Sequence, residues 1–282
     1  MCLFSGGLES MKRKIRIRRI SVVLLAVMLC AVLLPPEQTE AASAKYAVLS
    51  GSSNYKVGKH RYKVHIKERG TAVRSPSAVL YRKKKGKWKK ILTHKNTYGM
   101  TVKAEYGKWL YYSVYPYGNG QNLYRYNLKT KKKYLVRRNV RHMLISGGKL
   151  YTNGFATDVR SVPIYISKTN GKKAKRITKK ANQARMKIYG KRLYYLECTY
   201  NKSHSKSTDR LVSRDLKGKK RRVLSKKIKS PASVLYFSNK SLIYAKPVKS
   251  SIRYYKISLN SKRQKRIYPS AKKVDNWIRT FY

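Results

Sequence analysis

The sequence predicts an all-β fold: a β-propeller of about five four-stranded blades, or a truncated six, behind an N-terminal export segment. Three observations lead there. Short aromatic blocks recur at intervals of 41 to 49 residues, the size of one propeller blade. Turn residues and lysines punctuate each block. Long runs with a 3.6-residue apolar period are missing, which argues for strands over helices.

The first element is an address. Residues 11–19 read MKRKIRIRR, with six positive charges, and residues 20–34 are almost uninterrupted aliphatics halted by Pro35 and Pro36. Ala42-Ser43-Ala44 follows as an A-x-A cleavage site, completing the order of a secretory signal. The expectation is a signal peptide over residues 1–44, with Met11 as the true start and cleavage after Ala44. The apolar run is shorter than the ~20 residues a comfortable span needs, so no transmembrane segment is expected after cleavage. Leu29 before Cys30 argues against a lipid-modified cysteine.

Composition bounds the rest. The chain has 282 residues, 69 Lys+Arg against 10 Asp+Glu, and a formal charge of +59. Sixteen glycines without a three-residue period exclude a collagen-like chain. Three cysteines, Cys2, Cys30 and Cys198, exclude a disulfide-stapled one. Residues 45–282 keep 63 basic and 7 acidic side chains, all 25 tyrosines and one cysteine. Extreme charge favours disorder, but Tyr, Leu, Ile and Val recur in compact blocks, and tyrosine supplies large buried area with a polar tip. A folded domain over residues 45–282 is therefore expected.

Each unit carries two blocks. The first follows a Gly-Lys or Asn-Lys turn, as in Gly107-Lys108-Trp109-Leu110-Tyr111-Tyr112, Gly148-Lys149-Leu150-Tyr151, Gly190-Lys191-Arg192-Leu193-Tyr194-Tyr195 and Asn239-Lys240-Ser241-Leu242-Ile243-Tyr244, with a weaker copy at Gly58-Lys59-His60-Arg61-Tyr62. The second block runs into a further turn lysine, as in Leu123-Tyr124-Arg125-Tyr126-Asn127 before Lys131. A basic strand closes each unit. Consecutive apolar positions such as Leu110-Tyr111-Tyr112 predict strands packed on both faces, each blade lying between two neighbours. Ala47-Val48-Leu49-Ser50 reads as an extra strand. Residues 274–282 read as the first strand of a further unit, which would close the ring or begin a sixth blade.

The Gly-Lys-x-Leu-Tyr-Tyr and Leu-Tyr-Arg-x-Asn-Leu blocks resemble the extracellular repeats of the low-density-lipoprotein-receptor (YWTD) and TolB-like propellers. The resemblance spans most of residues 45–282 and implies a ring of four-stranded blades acting as a binding platform. Tyr112-Ser113-Val114 and Tyr151-Thr152-Asn153 lack the acidic third position of the YWTD pattern, so chemistry tied to that acid is not carried over.

Both turn types carry lysine in every copy. In an up-and-down blade they emerge on one side, so Lys59, Lys108, Lys149, Lys191 and Lys240 are expected beside Lys87, Lys131, Lys172, Lys219 and Lys262. The expected partner is an anionic polymer (teichoic acid, acidic glycan or extracellular nucleic acid) or a protein, because summed like charges concentrate anions. The competing reading is that lysine is a common turn residue and discourages strand edges from pairing. Tyr115, Tyr117, Phe155 and Tyr200, expected in the second-to-third loops, are candidates for stacking on rings or for covering the blade ends. Nothing points to a cofactor or a metal: H-E-x-x-H and paired C-x-x-C motifs are missing. The expected role is non-enzymatic binding outside the cell or at the wall. The alternative is a hydrolase or lyase acting on an acidic glycan, with Glu68, Asp158 or Asp209 in equivalent loops as carboxylates.

Overall fold

In the computed structural model the described residues are 44–51, 53–67, 76–116, 120–154, 163–178, 186–200, 207–224, 228–229, 233–237, 240–248, 251–259, 261 and 263–279. The export segment, Glu68, Asp158, Tyr117, Phe155 and Lys262 lie outside them. Ser43–Tyr282 forms one compact unit.

Antiparallel meanders build it. After β1 (Lys45–Leu49), the first sheet is β2 (Asn54–Val57), β3 (His60–Lys67), β4 (Ser77–Lys84) and β5 (Lys87–His94). The second is β6 (Met100–Tyr106), β7 (Trp109–Val114), β8 (Asn122–Asn127) and β9 (Lys133–Arg137). The third is β10 (Val140–Ser146), β11 (Lys149–Gly154), β12 (Ile164–Lys168) and β13 (Lys175–Arg176). The fourth is β14 (Met186–Tyr189), β15 (Arg192–Tyr200), β16 (Ser207–Asp215) and β17 (Arg222–Val223), with β18 (Ile228–Lys229) also paired to β16. The fifth is β19 (Ser233–Phe237), β20 (Ser241–Val248), β21 (Ser251–Ser258) and β22 (Gln264–Ile267). These are the units that the repeat predicts, and every pairing within them is antiparallel.

In the second, third and fourth sheets the second strand divides its side chains between two neighbours. On β7, Leu110, Tyr112 and Val114 join the core shared with the first sheet, while Tyr111 joins the core shared with the third. On β15, Leu193 and Tyr195 face the third sheet's core, and Tyr194 and Leu196 pack with Leu242, Tyr244 and Ile257 of the fifth. This is why these blocks are apolar at consecutive positions: the period of two is present, but both faces are covered. β3 differs. Tyr62 and Val64 are buried, while Arg61, Lys63 and His65 are exposed.

Hydroxyls tie neighbouring sheets. Tyr111 donates to the Thr169 carbonyl at 2.9 Å, Tyr151 to that of Leu216 at 2.9 Å, and Tyr126 to that of Ile91 at 2.8 Å. At Gly218 (φ 82) an added Cβ would lie 2.6 Å from the Ile177 Cβ, so the fourth sheet's turn needs glycine to sit against the third sheet.

Two expectations are corrected. The strand expected at residues 274–282 is replaced in its described part by a helix, α1 (Ala271–Arg279). The amide groups of Lys273 and Val274 bond to the Ser270 carbonyl, at 3.0 and 3.1 Å, just after Pro269. Val274, Trp277 and Ile278 have helical spacing, and Val274 packs on Ile243 and Ala245 of β20. Asp209 is not in a loop. The β15–β16 ladder runs on to Tyr200↔Ser207 and places Asp209 opposite Cys198. The extra strand expected around Ala47 is β1, and it pairs with both β2 and β6.

Candidate functional site

Register fixes where the turn lysines sit within each sheet. In the second sheet Trp109 pairs with Asn127, so the β6–β7 turn holding Lys108 and the β8–β9 turn holding Lys131 occupy one end. The Leu128 amide bonds to the Lys108 carbonyl at 2.9 Å, joining the two turns directly. In the fifth sheet the Leu259 amide bonds to the Lys240 carbonyl at 3.0 Å in the same way. Lys149 lies opposite Lys168, which opens the turn of Lys172. Arg192, next to Lys191, lies opposite Asp215, which opens the turn of Lys219. In the first sheet Tyr62↔Arg82 brings the turn of Lys59 to the end that carries the β4–β5 turn, with Lys87 the first residue of β5.

Local sequence explains these turns. Asn127 Oδ1 accepts the amides of Lys129 and Thr130 at 2.9 and 3.1 Å. At the equivalent place Asp215 Oδ1 accepts those of Lys217 and Lys219 at 3.0 and 2.7 Å. An Asx side chain closing its own turn is a standard use of Asn and Asp, and it leaves the lysine ammonium groups uncommitted. Lys59, Lys87, Lys108, Lys131, Lys149, Lys172, Lys191, Lys219 and Lys240 are all exposed. None of these nine ammonium groups meets a carboxylate or another hydrogen-bond partner among the described residues.

The sequence reading missed a buried cluster at the seam of the first two sheets. His60 Nδ1 lies 2.9 Å from both oxygens of Glu105, and the Tyr62 hydroxyl donates to Glu105 Oε1 at 2.5 Å. Glu105 is 7% exposed. Burial, and then the carboxylate beside it, hold the Tyr62 phenol well above its ordinary range. Each carboxylate oxygen has a donor, which is what a buried charge requires, so the cluster acts as a clamp between β3 and β6. The one available signal was a lone Glu in a strand of a chain nearly without acids. A second missed group is Lys103 on the innermost strand of the second sheet, whose ammonium is brought down to about 8 by burial. It sits at the irregularity between Val102 and Ala104.

The opposite end of the second sheet carries a cleft of about 370 Å³ lined by Pro116, Asn122, Tyr124, Leu135, Arg138 and Asn139. Tyr115, next to it, bonds through its hydroxyl to Thr101 Oγ1 at 3.0 Å and covers the sheet end. Tyr200 ends β15, but its side chain is outside the described set, as is that of Asp209.

Sheets of four antiparallel strands, stacked through both faces of their second strands, define an all-β propeller fold. Solved structures agree. The chain is similar to prolyl endopeptidases in their propeller domains, at 12% identity over 80% of this chain and 35% of the other, with a TM-score of 0.54. It is similar to a puromycin-hydrolyzing peptidase of Mycobacterium tuberculosis at 13% identity, 82% and 39% coverage and a TM-score of 0.52. TolB from Acinetobacter baumannii aligns at 15% identity over 88% of this chain and 69% of its own, with a TM-score of 0.46. The chain thus spans well under half the length of the two peptidases. No protein-family model matches it, and no curated protein matches it.

Proposed function

We propose that this is an exported, non-enzymatic propeller whose lysine-bearing turns hold an anionic polymer of the cell envelope, in the manner of an extracellular binding platform of the kind its YWTD-like blocks suggest. The observation that carries this reading is the set of nine exposed turn lysines without a carboxylate partner among the described residues, paired at one end of each of the first four sheets, with Lys240 at that end of the fifth. A solvated surface tuned only for solubility would interleave acids with its lysines, and among the described turns only that of Lys219 holds one, Asp215, whose Oδ1 is taken up by its own turn. Lys262 belongs to the same proposed set by its place in the repeat. Teichoic acid, acidic glycan and extracellular nucleic acid share the chemistry such a surface recognises: closely spaced negative charge.

The test is retention on anionic and neutral matrices across a salt series. Retention should be confined to the anionic matrix and fall steeply as salt shortens the screening length toward ~8–10 Å and below. Changing Lys108, Lys131, Lys149 and Lys172 together to Gln should weaken it further. Equal retention on both matrices, or retention indifferent to salt, would sink the proposal.

A further inference from the structure

The outer hairpin of the first sheet differs from the other turns. Lysine stands at 83, 84, 85, 87, 89 and 90, and every residue from 83 to 90 is exposed. Lys83 pairs with Trp88 and Lys84 with Lys87 around a two-residue turn, Lys85-Gly86, with φ of 47° and 77°. Two positive φ values in a two-residue loop match the twist of the flanking strands and make a tight, stiff hairpin. It holds an indole out in water: Trp88 is 40% exposed, with Lys83 Nζ 6.0 Å from its ring centroid.

The neighbouring sheet repeats the arrangement. Tyr134 is the second residue of β9 as Trp88 is the second of β5. Tyr134 is 44% exposed, Leu135 beside it 42%, and the Arg125 guanidinium carbon lies 5.5 Å from the Tyr134 centroid. Lys133 Nζ donates to the Thr93 carbonyl at 3.4 Å, which places the start of β9 near the far end of β5, five residues from Trp88. Trp88, opposite Lys83, lies on the face of Lys63 that turns away from the second sheet, whereas Tyr134, opposite Arg125, turns toward the third, so the indole belongs to the β4–β5 hairpin alone.

A soluble polyanion needs only the ammonium groups and gains nothing from exposed Trp88. Single-stranded nucleic acid stacks successive bases on several aromatic side chains along a groove, and this hairpin offers one indole. Headgroups of a bilayer use both components: basic clusters are drawn to the anionic surface, and Trp and Tyr settle at the interface with aliphatic neighbours reaching below. We propose that the β4–β5 hairpin of the first sheet docks on an anionic phospholipid bilayer, with Trp88 seated at headgroup level. This rests on the polyanion reading and names one of its partners.

The experiment follows tryptophan emission of the full chain mixed with vesicles of brominated phosphatidylglycerol and, separately, brominated phosphatidylcholine. Residues 12–34 bring basic and apolar groups of their own to the vesicles, so the reading is the difference between the chain and its Trp88→Phe variant, in which that contribution is common. Phosphatidylglycerol vesicles should quench an emission component that Trp88→Phe removes and that phosphatidylcholine leaves intact. Changing Lys83, Lys84, Lys85 and Lys87 to Gln should abolish that quenching, with matched circular dichroism showing both variants folded. Identical quenching of the wild type and Trp88→Phe overturns the inference, as does a Trp88 response to an oligothymidylate but not to vesicles. If the chain stays on an anionic resin while Trp88 ignores both vesicles, the bilayer inference falls and the polyanion reading stands. If the resin fails too, both fall.

Discussion

β3 and β7 hold the same place in successive sheets, yet one is buried on a single face and the other on both. Tyr62 and Tyr111 both point at the following sheet and both donate a hydroxyl across the seam, to Glu105 and to Thr169. The positions that point the other way are Arg61, Lys63 and His65 on β3 but Leu110, Tyr112 and Val114 on β7. The repeat therefore sets the backbone, and whether another sheet covers that face, as it does for β7 but not for β3 among the described residues, sets which side chains the strand can carry. Charged residues on one face of β3 are what a solvated face requires; the same residues on β7 would be buried without partners.

The largest break in this comparison should come from Tyr112→Ala. Its ring is fully buried and stacks on Tyr124 with centroids 5.7 Å apart. Its removal should cost about 3–5 kcal/mol in denaturant unfolding, as for other buried aromatics. Next is Glu105→Gln, which exchanges the acceptor shared by His60 and Tyr62 for an amide that satisfies one less donor. A loss of about 1.5–3 kcal/mol is expected, in the range for hydrogen bonds to charged groups. A loss near zero would show that the clamp is ornamental.

An acid titration sharpens the comparison further. Burial, and then nearby Lys133, bring the His94 imidazole down to about 4. An unfolded histidine takes up its proton near 6.5. Between these values the unfolded chain binds a proton that the folded one refuses, so this contribution is whole above pH 6.5 and is lost as pH falls toward 4. His94→Phe should flatten that part of a melting-temperature profile against pH; an unchanged slope would assign it elsewhere. The smallest effect should be Lys63→Ala, within about 0.5 kcal/mol because the side chain is exposed. Making Arg61, Lys63 and His65 apolar together should leave folding intact but drive self-association, visible in sedimentation, since it creates an uncovered apolar face.

The strands were legible because the repeat spells them out: Leu110-Tyr111-Tyr112 reports two covered faces, and Gly107-Lys108 reports the turn before it. α1 was not. Val274, Trp277 and Ile278 are residues that favour strands, and only the Pro269-Ser270 entry and their helical spacing point the other way. The lysine turns could be read because their chemistry lies within a few residues. The His60–Glu105–Tyr62 cluster could not, because its members come together only when β3 meets β6, more than forty positions apart. Asp209 was misplaced because polar residues 201–210 look like a loop, whereas the β15–β16 ladder continues well into them.

β1 has a bearing on how the chain assembles. Its first half pairs with β6 through Lys45↔Glu105 and Tyr46↔Ala104, its second half with β2 through Ala47↔Val57 and Leu49↔Tyr55, and the Tyr46 hydroxyl reaches the Ile145 backbone of β10. The first strand of the domain thus completes its pairing only once residues some sixty places later have arrived. Long-range contacts of this kind slow folding, so β1 is expected to lock only when both of the first two meanders exist.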